Sequence, residues 1–191
     1  IFCEASAILA GDALLTEAFT LLSQPSPEIS PATQIQLVNI AAAASGRDGM
    51  VGGQMVDMAA EGQANSMDTV NFIHKHKTGA LILAALQMGA VIGEADKEQL
   101  QQITTFGHYA GLAFQIADDL LDIEATQEQL GKDIGSDQQR GKATYPAVVG
   151  VSEARHHATE LHQAALEALD SFSSEAEPLR QISAYIINRK Q

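Results

Sequence analysis

Apolar residues return every three to four positions along most of the chain, and no segment shows the strict alternation of a half-buried strand. Ala, Leu, Gln and Glu dominate the long segments, a choice that favours helix. The pattern predicts helices over 4–23, 32–45, 49–61, 67–92, 96–124, 144–170 and 174–190. The breaks between them hold turn residues. Pro25, Pro27 and Pro31 mark one loop, Gly46 and Gly49 bracket another, and Gly93 follows a helix end. A longer polar loop runs over 131–141, and Ser66 with Asp68 and Thr69 supplies capping side chains before a helical run. No internal repeat is visible, and the only low-complexity stretch is the alanine run at 41–44. Helices joined by short loops predict an all-α antiparallel bundle, read as a single domain over 1–191.

One helix has an unusual face. Within 106–124, Gln115, Asp118, Asp119 and Asp122 fall at i, i+3, i+4 and i+7, a single polar stripe. Leu112, Ala113, Phe114, Ile116, Ala117, Leu120, Leu121 and Ile123 fill the rest of the cylinder. A helix so apolar belongs at the centre of the bundle. Its three carboxylates repel one another, and burying each without a partner costs several kcal/mol. They protonate, face water or are neutralised by cations. With oxygen ligands only, and neither Cys nor His flanking, the stripe suits Mg²⁺.

Two neighbouring segments repeat the arrangement. In Gly52-Gly53-Gln54-Met55-Val56-Asp57, the residues Gln54, Asp57 and Glu61 sit at i, i+3 and i+7. In His74-Lys75-His76-Lys77-Thr78-Gly79, helical spacing puts His74, Lys77 and Thr78 on one face. A lysine and a hydroxyl beside carboxylates provide the opposite charge that a phosphate needs. The loop Gly131-Lys132-Asp133-Ile134-Gly135-Ser136-Asp137, continuing to Arg140-Gly141-Lys142, adds more positive charge. Of six lysines in the chain, Lys77, Lys132 and Lys142 lie beside these motifs. The loop is not a nucleotide P-loop, because Gly135 and Gly141 are wrongly spaced, Ala143 follows Lys142 and no strand precedes it. It reads as a lid over diphosphate.

Composition narrows the field. A net charge of −13 excludes a nucleic-acid partner but not a phosphorylated ligand bridged by metal. The single cysteine, Cys3, fits a reducing, cytoplasmic compartment. No run of about 18 uninterrupted apolar residues suggests a membrane span, and with no charged n-region before a cleavable apolar core, export is not expected. A di-iron bundle would need two Glu-x-x-His motifs, and only Glu153-Ala154-Arg155-His156 fits.

The ordered motifs resemble the trans-prenyl diphosphate synthases, on the side of bacterial farnesyl diphosphate synthases. The matching segments are Ala7-Ile-Leu-Ala-Gly-Asp-Ala-Leu14, Gly52-Gly-Gln-Met-Val-Asp57, His76-Lys-Thr-Gly-Ala-Leu81, Phe114-Gln-Ile-Ala-Asp-Asp-Leu-Leu-Asp122 and Gly141-Lys-Ala-Thr-Tyr-Pro146. The resemblance implies an all-helical isoprenoid-synthase fold around a central cavity. It implies a Mg²⁺-dependent condensation of isopentenyl diphosphate with an allylic diphosphate, giving farnesyl or a longer prenyl diphosphate. By the same resemblance Asp118, Asp119 and Asp122 form the second Asp-rich metal motif, with Asp137 on a metal-bound water. Lys77, Lys132 and Lys142 would hold diphosphate, Thr78 and Gln115 would line the carbocation, and Gln54 and Asp57 would belong to the substrate site. A homodimer is a further family expectation. The family's first Asp-rich motif and its isopentenyl-diphosphate-binding basic residues precede the segment matching Ala7. Upstream helices are therefore expected, and the chain alone is not expected to turn over substrate. A non-catalytic regulatory subunit is the alternative, against which the Asp118, Lys77 and Lys142 set counts.

Overall fold

The computed structural model describes residues 3–64, 66–128 and 143–189. Every regular element among them is helical. Helix α1 spans Glu4–Ser23, α2 Pro31–Ser45, α3 Met50–Ala60 and α4 Met67–Ile73. A π-helical turn at His74–Gly79 joins α4 to α5, Ala80–Ile92. The long α6 covers Lys97–Glu128, then come α7 Tyr145–Val149, α8 Val151–Glu167, a 3₁₀ turn at Ser174–Ala176 and α9 Glu177–Asn188.

Local chemistry accounts for several boundaries. Ser30 caps α2 by accepting from the Thr33 amide, with Pro31 opening the helix, and Ser66 caps α4 through the Thr69 amide. The expected single helix over 144–170 is broken at Gly150. Its φ of 88° is one an L side chain rarely adopts, and it separates α7 from α8. The expected helix over 67–92 is continuous in space but widens into the π turn. Beyond the far end of α8, Arg180 donates to the carbonyls of Leu169, Phe172 and Ser173 and so ties down the turn that follows the helix.

Helix α6 is central, as its apolar circumference implies. The π turn, α5, α7, α8 and α9 all pack on it. One core cluster joins Val70 and Ile73 of α4 to Ile116 and Leu120 of α6 and to Tyr145, Ala154 and Ala158. A second joins Ile103, Phe106 and Ala110 of α6 to Ala165 and Leu169. Alanines on α8 let it lie close along α6. Helix α1 differs. It lies against α2, and none of its residues is buried. By length and composition it could cross a membrane, although Asp12 and Glu17 interrupt its apolar run.

Candidate active site

The π turn falls on the His-Lys-His-Lys-Thr-Gly motif, and one glycine makes room for its packing. A Cβ on Gly53 would lie 2.2 Å from the Lys77 backbone nitrogen, so α3 can approach the turn only with glycine there. Across that contact Lys77 Nζ meets Asp57 Oδ2 at 2.5 Å. Asp57 is buried, while Lys77 keeps about a third of its side chain open to solvent. The helical spacing expected to put His74 on the face of Lys77 does not hold. A π turn adds a residue to the usual turn and rotates the residues after it. His74 therefore points to α6 and Lys77 to α3. Gln54 and Thr78 are half-buried, whereas Glu61 lies beyond the end of α3 and is exposed.

Asp119 and His74 meet on the inner side of α6. Asp119 Oδ2 accepts the Tyr145 backbone N–H at 2.7 Å and faces His74 Nε2 at 3.3 Å. Its side chain is 13% exposed and that of His74 3%. His74 Nδ1 is buried without a partner. The Tyr145 ring stacks on His74, and its hydroxyl lies 2.7 Å from His157 Nδ1. Burial, with Glu153 and Glu160 nearby, pushes the Tyr145 phenol above its ordinary pKa, so it keeps its proton.

Asp118, one residue earlier, faces outward and is 61% exposed. Its Oδ1 accepts from Arg189 Nη2 at 2.8 Å, and the Arg189 guanidinium lies 4.4 Å over the Phe114 ring. A cation thus already sits before this carboxylate, and the donors are all oxygen, so the site fits a hard divalent ion. Among the described residues no three acidic or histidine side chains converge tightly enough to hold a metal by themselves.

Gln115 is half-buried on the same face of α6. Lys132, Asp137 and Lys142 lie outside the described residues. A cavity of about 520 Å³ opens nearby, lined by Asn71, Gly79, Leu83, His108, Leu112 and Tyr145 among others. Lys77, Thr78, Gln115 and Asp118 are not in its wall. The Glu153-x-x-His156 pair is exposed on α8, and His156 turns to Glu160 instead, at 3.3 Å. Sequence reading missed Arg189 and Tyr145 as partners of the acidic stripe. They lie 71 and 26 residues from the carboxylates they touch, and helical spacing carries no signal over such separations.

Comparison with known proteins settles the family. The polyprenyl synthetase pattern matches residues 1–185. The chain belongs to that family. Over 156 residues it is 46% identical to the farnesyl diphosphate synthase of Geobacillus stearothermophilus, covering 81% of this chain and 52% of that protein. An FPP/GFPP synthase structure from Zymomonas mobilis superposes with a TM-score of 0.85 at 39% identity, over 97% of this chain and 62% of that one. A Helicobacter pylori geranyltransferase, solved with magnesium and isoprenyl diphosphate, superposes at 0.75 and 31% identity, over 96% and 59%. The chain therefore spans about half to three-fifths of the length of these relatives.

Proposed function

We propose that the full-length protein is a Mg²⁺-dependent prenyltransferase that condenses isopentenyl diphosphate with dimethylallyl or geranyl diphosphate to give farnesyl diphosphate. The observation that carries this reading is the outward carboxylate of Asp118 on a central helix, in the sequence context of the polyprenyl synthetases. In the reaction the allylic C–O bond breaks and diphosphate leaves. The alkene of isopentenyl diphosphate attacks the resulting carbocation, and a proton is lost from the new C–C adduct. Bound Mg²⁺ would neutralise charge on the leaving diphosphate. Asp118 and Asp122 would provide its carboxylate oxygens, and Asp137 would hold a water in its shell. Lys77, with Lys132 and Lys142, attracts the diphosphate. The exposed edge of Lys77 leaves room for a phosphate oxygen beside its pair with Asp57. Thr78 and Gln115 supply fixed dipoles toward carbon as positive charge develops, and Gln54 with Asp57 holds the lysine side of the site.

Asp12 and Glu17, which would be costly at the centre of a bilayer, favour α1 packing on protein over spanning a membrane. A homodimer is the assembly expected of the full-length protein from its family. A longer product is the second reading, favoured by the two products in the name of the Zymomonas relative. The test is incubation of the full-length protein with Mg²⁺, geranyl diphosphate and labelled isopentenyl diphosphate. Mass analysis is expected to show farnesyl diphosphate, and the absence of any prenyl diphosphate overturns the proposal.

A further inference from the structure

We infer that Asp119 is a positioning residue and not a metal ligand, and that with His74 and the Tyr145 amide it fixes the π turn against α6. The inference rests on the proposed metal function of the stripe, and divides its carboxylates into two kinds. Asp118 and Asp119 are adjacent in sequence but meet opposite surroundings. Asp118 is 61% exposed and pairs with a single guanidinium from the end of α9; Asp119 is 13% exposed and held by the protein's own buried donors. The Tyr145 N–H and His74 Nε2 converge on the same oxygen, Oδ2. Were that carboxylate drawn out to a metal, the Tyr145 N–H would lose its acceptor and His74 its close contact. The buried, unpartnered Nδ1 of His74 adds a second observation. A buried imidazole with one nitrogen unsatisfied carries a cost, and its contact with Asp119 through the other nitrogen offsets it.

The position of the tie gives it a role. His74 opens the turn that carries Lys77 and Thr78, Asp119 lies beside Asp118 and Gln115 on α6, and Tyr145 opens α7. One carboxylate therefore sets the spacing between the lysine side and the acid side of the proposed diphosphate site. Tyr145 extends the tie to α8 through His157.

The test is Mn²⁺ binding to the full-length protein in the presence of inorganic diphosphate, followed by electron paramagnetic resonance, with melting temperature alongside. Asp118→Asn removes a ligand and is expected to weaken Mn²⁺ by about a hundredfold with the melting temperature unchanged. In Asp119→Asn the amide oxygen can still accept the Tyr145 N–H and keep its contact with His74. It is expected to melt like the wild type and to weaken Mn²⁺ by less than about tenfold. Asp119→Ala has no acceptor and is expected to melt several degrees lower, with Mn²⁺ weakened beyond Asp119→Asn. An Asp119→Asn protein that melts normally yet binds Mn²⁺ as poorly as Asp118→Asn would make Asp119 a ligand and overturn the inference. Equal melting temperatures for Asp119→Asn and Asp119→Ala would overturn the tie. Mn²⁺ binding untouched by Asp118→Asn would remove the metal reading itself, a separate result.

Discussion

The acidic stripe of α6 has an open end at Asp118 and a buried end at Asp119, and the two show how one motif can hold different chemistry. Neighbouring residues on a helix are turned by about 100° from each other. Here that rotation separates a solvent-facing carboxylate, paired with Arg189, from one enclosed by His74 and Tyr145. A pair open to solvent on its acid side exchanges readily and contributes little to stability. A buried acceptor that satisfies protein donors costs far more to remove. The open end can accept an incoming ion, and the buried end keeps the frame in which the ion is met.

Breaking the open end has the largest effect on activity. Asp118→Ala is expected to lower turnover about a thousandfold, roughly 4 kcal/mol of barrier, while circular dichroism and melting stay as in the wild type. At the buried end, Asp119→Ala strips the acceptor from the Tyr145 amide and the close contact from His74. It is expected to lose about 1–3 kcal/mol in denaturant unfolding. If both alanine variants retain wild-type stability, the contrast between the two ends disappears.

The frame behind the buried end can be disturbed from α3. Gly53→Ala places a Cβ against the Lys77 backbone, and the resulting shift is expected to cost about 1–3 kcal/mol. Weaker binding of inorganic diphosphate should accompany it, since Lys77 moves with its backbone. Arg189→Gln is a smaller change. It removes the guanidinium from an exposed carboxylate, so stability should fall by less than about 1 kcal/mol. Mn²⁺ binding should tighten by up to about fivefold, because a competing cation is gone.

The smallest expected effect lies outside the stripe. His162 Nδ1 sits 2.8 Å from Ser183 Oγ, between α8 and α9, and burial lowers its pKa below the ordinary 6.5. Near and below pH 6.5 the unfolded chain therefore binds more protons at this residue than the folded one. Stability from this group is complete above 6.5 and falls as pH drops toward the lowered folded value. The slope of melting temperature between pH 7.5 and 5.5 is expected to flatten in His162→Gln.

Much of this was legible in the sequence. Periodicity alone placed the helices and made α6 central, because a cylinder apolar on nearly every side has nowhere else to go. It also put Asp118, Asp119 and Asp122 on one stripe. It could not tell the first two apart, since what separates them is contact with Arg189 and Tyr145 from distant parts of the chain. The π turn was hidden for another reason. Helical spacing assumes 3.6 residues per turn, and the assumption fails at the motif where Gly53 lets α3 press on Lys77. Gly150 was visible as a residue but not as a break, because only its positive φ separates α7 from α8.

The most direct measurement is the anomalous diffraction of Mn²⁺ in crystals of the full-length protein grown with inorganic diphosphate. The account predicts a Mn²⁺ peak bonded to Asp118, with Arg189 displaced and Asp119 Oδ2 still on the Tyr145 amide. A peak bonded to Asp119 with that amide released, or no peak at the stripe at all, would contradict it.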